Sequence, residues 1–83
     1  MATQSELIIL RIILEHDGEW NWYKVGRRCM SLLDPGQIDL KPLKDAHLVS
    51  EHRVDGEPLP RLRITSEGKT VLEEDLEEGG LNP

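Results

Sequence analysis

The stretch PRLRITSEGKTVLEE, residues 60–74, alternates basic with aliphatic side chains and then changes to a helical pattern. Alternation with a period of two places Leu62 and Ile64 on one face of a strand, so that the two arginines of the strand lie on the opposite face. Thr65 stands at the change of pattern, and threonine is a preferred N-terminal capping residue of helices. We therefore predict a strand that packs through its aliphatic side chains and leads directly into a helix capped by Thr65.

A second strand is predicted just before this one. The segment LVSEHRV, residues 48–54, is rich in strand-forming side chains, and DGEPLP, residues 55–60, has the glycine and prolines typical of turns. The two strands would therefore form an antiparallel hairpin over residues 48–64.

The N-terminal segment predicts a helix with two apolar faces. Ser5 can cap a helix that runs through residues 6–16. At 100° per residue the apolar side chains fall into two stripes, Leu7, Leu10, Ile13 and Leu14 in the first and Ile8, Ile9 and Ile12 in the second. The second stripe needs a cover, either the C-terminal helix or a second copy of the chain. We expect a dimer interface that comprises Ile8, Ile9, Ile12, Leu72 and Leu76.

A second helix is expected over residues 22–33, with Asn21 as its cap. Gly26 costs this helix about 1 kcal/mol relative to alanine, which indicates close packing against a neighbour. The aromatic residues Trp20, Trp22 and Tyr23 cluster at its start. Packing between the first two helices is their simplest use, and a base-stacking platform or a ligand pocket is the alternative.

The third helix is expected over residues 40–47, after a break at Asp34-Pro35-Gly36. Asp39 can cap it, and Pro42 is tolerated in its first turn because amide donors there have no partner within the helix. His47 stands where a helix ends in a left-handed residue, a conformation that histidine adopts more readily than most side chains.

Length and charge limit the classes of protein that need to be considered. The 83 residues predict one domain over 1–78 and a flexible tail over 79–83. The net charge of −6 lies mostly at the C-terminus, because residues 1–72 carry a net charge of only −1. No apolar run reaches the roughly 18 residues of a membrane helix, no signal peptide is recognisable, and Cys29 is the single cysteine. These features predict a cytoplasmic protein that does not enter a membrane.

The order helix, helix, turn, helix, hairpin, helix resembles the winged helix-turn-helix family. LKPLKDAHLVSEHRV is similar to the end of the family's recognition helix entering the first wing strand. RLRITSEGKTVLEE is similar to the second wing strand running into a threonine-capped helix, as in MarR-type and PadR-type regulators. The resemblance covers nearly the whole chain. It implies an α+β fold of three helices, a two-stranded β-hairpin wing and a C-terminal helix.

The resemblance also implies a function. Members of the family bind double-stranded DNA, usually as homodimers that regulate transcription, with the third helix in the major groove and the wing against the DNA backbone. The residues that would contact DNA are the outward cations of the second helix, third helix and wing, with one glutamine: Lys24, Arg27, Arg28, Gln37, Lys41, Lys44, Arg53, Arg61 and Arg63. The acidic residues Asp45, Asp55 and Glu57 depart from this pattern, because they would repel phosphate.

A winged helix can instead be a protein-protein interaction module that does not bind DNA. The hairpin distinguishes the two hypotheses. If Arg61 and Arg63 pair with Glu51 or Glu57, the positive face is partly cancelled and the interaction module is favoured.

No enzymatic activity, cofactor or metal is expected. No serine or cysteine has a sequence context typical of a nucleophile, and no glycine-rich phosphate loop is present. Cys29, His47 and His52 lie in different elements without the short paired spacing of zinc ligands, and Cys29 is expected in the core.

Overall fold

The computed structural model describes residues 3–80, and their side chains as far as Asp75. Within this range the chain is α+β, with four α-helices and one two-stranded antiparallel hairpin. The elements in chain order are α1 (Gln4–Glu15), α2 (Trp22–Cys29), a 3₁₀ turn (Pro35–Gln37), α3 (Lys41–Asp45), β1 (Val49–His52), β2 (Arg61–Ile64) and α4 (Ser66–Gly80). No helix in the described part of the chain is both long and apolar enough to cross a membrane.

Strand β2 lies at the centre of the small sheet because both of its edges are hydrogen bonded. It pairs with β1 in antiparallel register, with Val49 opposite Ile64. On the other edge the Leu62 amide donates to the Trp20 carbonyl at 2.8 Å, and the Leu62 carbonyl accepts from the Gly18 amide at 2.9 Å. The chain between α1 and α2 therefore acts as a third, irregular strand, and the predicted inward position of Leu62 is confirmed by its burial.

The junction between β2 and α4 forms as the sequence predicts. The Thr65 hydroxyl accepts from the Gly68 amide at 3.0 Å and donates to the His47 carbonyl at 2.6 Å, while the Thr65 amide donates to the Leu48 carbonyl at 3.1 Å. His47 has a φ of 59°, which confirms the left-handed helix terminus. One threonine therefore caps α4 and ties it to the end of α3.

Gly68 allows α4 to approach the hairpin closely. A Cβ atom at this position would lie 2.7 Å from Cγ1 of Ile64, and still closer to the backbone oxygen of Leu48. Real Cβ atoms do not come so near to other heavy atoms. The first turn of α4 therefore packs directly against the backbone where β1 begins, which leaves no room for a side chain.

Helix α1 occupies the middle of the core and packs against α2, β2 and α4. Ile9 is fully buried, Ile12 is 4% exposed and Leu72 of α4 is 4% exposed, all within one chain. An ion pair of 2.8 Å joins Arg11 of α1 to Asp75 of α4.

The dimer interface predicted for α1 and α4 is therefore corrected. Of the two covers expected for the second stripe of α1, the structure has the protein's own elements, α4 among them, so Ile9, Ile12 and Leu72 have no surface to offer a partner. Ile8 is half-buried against the same core. The side chain of Leu76 lies outside the described residues.

The beginning of α1 differs from the prediction. Thr3, not Ser5, is the cap: its hydroxyl accepts from the Glu6 amide at 3.2 Å, and the Glu6 carboxylate accepts from the Thr3 amide at 3.0 Å. This reciprocal capping box satisfies two amide donors, whereas a cap at Ser5 would leave Glu6 outside the box. Asn21 does cap α2, because its side-chain oxygen accepts from the Lys24 amide at 3.0 Å.

The middle of the chain is less helical than predicted. Helix α2 ends at Cys29 instead of residue 33, and Pro35–Gln37 forms a 3₁₀ turn. Helix α3 has five residues, begins at Lys41 after Leu40 and ends at Asp45. The Asp39 carboxylate still accepts from the Lys41 amide, at 3.0 Å. The shortening leaves little more than one helical turn at the position of the expected recognition helix.

The ends of the hairpin and of the chain also differ in detail. Strand β1 stops at His52, so the connection to β2 covers residues 53–60. Helix α4 ends at Gly80, and residues 81–83 of the tail predicted for 79–83 lie outside the described part of the chain.

Candidate functional site

Charge is divided unevenly along the chain. Residues 21–65, which form α2, α3 and the hairpin, carry eight basic and six acidic side chains, a net charge of +2. The remaining residues carry two basic and ten acidic side chains, a net charge of −8. Any surface that binds an anion is therefore to be sought on α2, α3 and the hairpin.

The two lysines of α3 are ion-paired within the protein. The Lys41 ammonium lies 3.1 Å from the Asp45 carboxylate, and the Lys44 ammonium lies 2.6 Å from the Glu51 carboxylate of β1. Pairs between exposed side chains contribute only about 0–1 kcal/mol, so a phosphate could displace the carboxylates. Gln37 does not lie in α3, because it belongs to the 3₁₀ turn and its side-chain oxygen accepts from the Asp34 amide at 3.1 Å.

Arg61 is held more firmly than the lysines. Its guanidinium donates two hydrogen bonds to the Glu57 carboxylate, Nε to Oε1 at 3.1 Å and Nη2 to Oε2 at 2.5 Å. A third, longer bond of 3.5 Å reaches the Gly18 carbonyl. The hydrogen bond from Arg61 lowers the pKa of Glu57 below its ordinary value. Arg61 was expected to face outward, but it is half-buried and connects the hairpin loop to the segment after α1.

Five of the predicted DNA contacts have no carboxylate within ion-pair distance among the described side chains: Lys24, Arg27, Arg28, Arg53 and Arg63. All five are exposed. Arg28 donates to the Ser31 hydroxyl at 2.9 Å, and the Arg27 guanidinium lies 5.8 Å from the centre of the Tyr23 ring. The two arginines of β2 therefore differ. Arg61 pairs with Glu57, which favours the interaction module, whereas Arg63 stays exposed opposite Ser50, which favours DNA binding.

An apolar cleft of about 320 Å³ lies on the outer side of α2. Its lining comes from α2 and from the segment that follows it: Trp22, Tyr23, Gly26, Arg27, Met30, Pro35 and Ile38. Tyr23 is 61% exposed and Met30 is 63% exposed. The cleft forms because α2 ends early and the 3₁₀ turn brings Pro35 and Ile38 beside it.

Gly26 lines the cleft and does not pack against a neighbour within the chain. Apart from its own helix backbone and chain neighbours, a Cβ atom at this position would have no heavy atom within 4 Å, which corrects the close packing predicted from the sequence. Its φ is not positive, so the backbone does not require glycine either. Nothing within the chain therefore offsets the roughly 1 kcal/mol that glycine costs inside a helix.

The sequence could have revealed this surface. Tyr23, Arg27 and Met30 are spaced by four and three residues and so share one face of α2. Tyr23 was expected to pack in the core, and the structure exposes it instead. Trp20 and Trp22 are half-buried and pack against the core, as predicted, and Trp22 also lines the cleft.

The residues between α1 and α2 are structural. The imidazole of His16 stacks on the indole of Trp20, with ring centres 3.5 Å apart and an angle of 5° between the planes. The Asp17 carboxylate accepts from the Ile64 amide at 2.8 Å. This side-chain bond continues the backbone bonds that the irregular strand makes to Leu62 of β2. Both residues therefore fasten the end of α1 to the sheet.

Cys29 lies in the core, and burial raises the pKa of its thiol. A buried thiol with a raised pKa is a poor nucleophile. Among the side chains described, no group of three or more histidines, cysteines and acidic residues is arranged to hold a metal ion.

Comparison of the chain with protein-family models, with curated proteins and with solved structures finds no match.

Proposed function

We propose that the protein is a small winged-helix domain that binds duplex DNA mainly through phosphate contacts. The element order of three helices, hairpin and closing helix supports this fold. The observation that carries the function is the concentration of cations on α2, α3 and the hairpin, five of them free of carboxylate partners in the described structure. Cations that are not neutralised within the protein are the ones that release counterions from DNA.

Binding of this kind depends strongly on salt and weakly on sequence. Phosphate contacts carry no base information, and non-specific binding has dissociation constants of about 10⁻⁴ to 10⁻⁶ M at physiological salt. The net charge of −8 outside residues 21–65 lowers the affinity further. We therefore expect weak binding that is measurable at low ionic strength.

Base reading by α3 contributes little in this proposal. The helix has five residues, and both of its lysines must first leave Asp45 and Glu51. We assign Lys41 and Lys44 to phosphates once those weak pairs open, and we remove Arg61 from the contacts because it holds the hairpin loop. A homodimer through α1 is not part of the proposal.

The experiment compares two double variants that remove the same charge. Arg53→Gln with Arg63→Gln removes the two cations of the hairpin that have no carboxylate partner among the described side chains, whereas Arg11→Gln with Lys69→Gln removes one cation each from α1 and α4. Fluorescence anisotropy with a labelled duplex of random sequence is followed from about 50 to 200 mM salt. The hairpin variant should bind more weakly and lower the slope of log K against log salt by about 2, while the control variant keeps the slope.

Two results would overturn the proposal. One is an equal loss of affinity in both variants, which would reflect total charge and not a binding surface. The other is the absence of any salt-dependent binding by the unaltered protein. The pairs at Lys44 and Arg61 favour an interaction module without DNA binding, and that second candidate would then be preferred.

A further inference from the structure

We infer that the cleft on α2 is a docking site for an acidic amphipathic helix of another protein. This site lies beside the proposed phosphate contacts and shares Arg27 with them, but it is carried by different observations. These are an apolar recess, a glycine that packing within the chain does not require, and a lining that contains an arginine but no acidic residue.

The residues of the cleft are of the kinds that protein interfaces favour. Aromatic residues, methionine and arginine are enriched in the buried centres of interfaces. Here Tyr23 and Met30 flank the recess and are each more than 60% exposed, so a partner could remove a large apolar area from water. A recess of about 320 Å³ has room for one or two large apolar side chains.

Gly26 gives a second, independent indication of a close approach. Glycine is the usual residue where a ligand or another chain comes near the backbone. Gly26 faces the cleft, and apart from its own helix backbone and chain neighbours nothing lies within 4 Å of a Cβ position, so the open space can accept a partner's side chain. An apolar side chain of a partner helix could fill this space, where it would contact the backbone of Gly26 between Tyr23 and Met30.

The charge around the cleft selects an acidic partner. Arg27 lines the cleft and no acidic residue does. The exposed guanidinium of Arg27 has no carboxylate within ion-pair distance among the described side chains. Complementary charge at the rim of an interface raises the association rate and excludes partners of like charge.

A second copy of the chain does not fit this site. Two clefts facing each other across a two-fold axis would bring the two Arg27 side chains together, which is repulsive. Helix α4 is acidic, but in its described part Leu72 is buried and Val71 is half-buried in its own core. The described side chains of α4, as far as Asp75, therefore include no exposed apolar residue that could enter the recess.

The probe is a designed, fluorescein-labelled helix of about 18 residues with leucine and phenylalanine at i, i+3, i+4 and i+7 and glutamate on its polar face. A control probe keeps the apolar positions and replaces each glutamate by lysine. The acidic probe should bind at least about tenfold more tightly than the basic one at low salt. In amide NMR spectra the indole signal of Trp22 should shift on binding, whereas that of Trp20, stacked on His16, should not.

Three single variants test the site. Tyr23→Ala and Met30→Ala should each weaken binding of the acidic probe by about tenfold, since a few interface residues carry most of the binding energy. Leu59→Ala removes an exposed apolar side chain of the hairpin loop, outside the cleft, and should leave binding unchanged. Gly26→Ala should weaken probe binding while it raises the melting temperature, a combination that damage to the fold cannot produce.

The inference is overturned if both probes bind alike, if Tyr23→Ala and Met30→Ala bind as the unaltered protein does, or if Gly26→Ala binds the acidic probe more tightly. A dimer in sedimentation that Met30→Ala dissociates would assign the cleft to a second copy. An equal loss of DNA binding in Tyr23→Ala and Met30→Ala would assign it to the DNA surface. The hairpin variant Arg53→Gln with Arg63→Gln should bind the probe normally, so the two proposals fail separately.

Discussion

Gly68 and Gly26 both lie inside helices, yet their surroundings are opposite. At Gly68 a Cβ atom would lie too close to the backbone of Leu48, whereas at Gly26 it would meet nothing within 4 Å. The first glycine is required by packing within the chain, and the second is not. We call the side where α4 meets the hairpin the closed side, because contacts within the chain fill the space at Gly68. We call the outer side of α2 the open side, because no such contacts surround Gly26.

The largest expected loss of stability comes from a substitution on the closed side, at Gly68. Gly68→Ala should lower the free energy of unfolding by about 3 kcal/mol, because the new methyl group overlaps backbone atoms that cannot rotate away. Urea denaturation monitored by tryptophan fluorescence gives the change. A loss below about 1 kcal/mol would mean that α4 can shift away from Leu48 at little cost, and that the comparison of the two glycines overstates their difference.

The next effect tests the cap at the same junction. Thr65→Val keeps the shape of the side chain but removes the hydroxyl that accepts from the Gly68 amide and donates to the His47 carbonyl. We expect a loss of about 1–2 kcal/mol in the free energy of unfolding. Thr65→Ser retains both hydrogen bonds and serves as the control. Equal losses in the two variants would show that the methyl group, and not the hydroxyl, stabilises the junction.

The open side should respond in the opposite direction. Gly26→Ala adds a methyl group that meets no atom, so helix propensity alone decides the outcome. Stability should rise by about 0.5–1 kcal/mol, which thermal unfolding can detect in a domain of this size. A decrease would reveal an internal constraint on Gly26 and would remove the observation that points to a partner.

The smallest effect concerns the half-buried ion pair between Arg61 and Glu57 of the hairpin, and separates its contribution from packing at Gly68. Hydrogen bonding to Arg61 lowers the pKa of Glu57, so this pair stabilises the fold above the ordinary glutamate pKa. Its contribution declines as the pH falls below about 4.3, where glutamate in the unfolded chain takes up its proton first, and it is lost once the pH passes the lowered pKa of Glu57 in the folded protein. Between neutral and acidic pH, Glu57→Gln should therefore lose less stability than the unaltered protein.

Denaturation at several pH values measures this difference. Glu67 also has a lowered pKa, first because of a hydrogen bond from its own backbone, so part of the acid sensitivity should remain in the variant. Identical pH profiles for the two proteins would show that the Arg61–Glu57 pair contributes nothing to stability. Gly68→Ala, in contrast, should destabilise the fold equally at both ends of the pH range.

Local features were predictable because they depend on neighbouring residues. The strand over residues 61–64 follows from alternation, Asn21 and Thr65 follow from capping chemistry, and the left-handed conformation of His47 follows from its place at a helix end. The position of the α1 cap was missed by two residues. Thr3 is the cap in preference to Ser5 because Glu6 lies three residues after Thr3 and completes the reciprocal hydrogen bonds of a capping box.

The candidate site was less predictable than the fold. Cations on α2 and the hairpin could be named from the sequence, but their partners could not. Lys44 pairs with Glu51 only because α3 and β1 lie side by side, and Arg61 meets Glu57 only because the hairpin loop folds back. The end of α2 at Cys29 was not predicted either. The cleft was therefore missed, because it depends on Pro35 and Ile38 lying beside the shortened helix.

The sequence by itself determined the elements, their order, two of the caps and the unequal distribution of charge. These properties depend on residue type and on spacings of a few positions. Only the tertiary structure decided that the chain's own elements cover the second face of α1, that Gly68 must lack a side chain, and that Gly26 is left uncovered. Each of these depends on the distance between atoms far apart in the chain, which packing sets and local pattern does not.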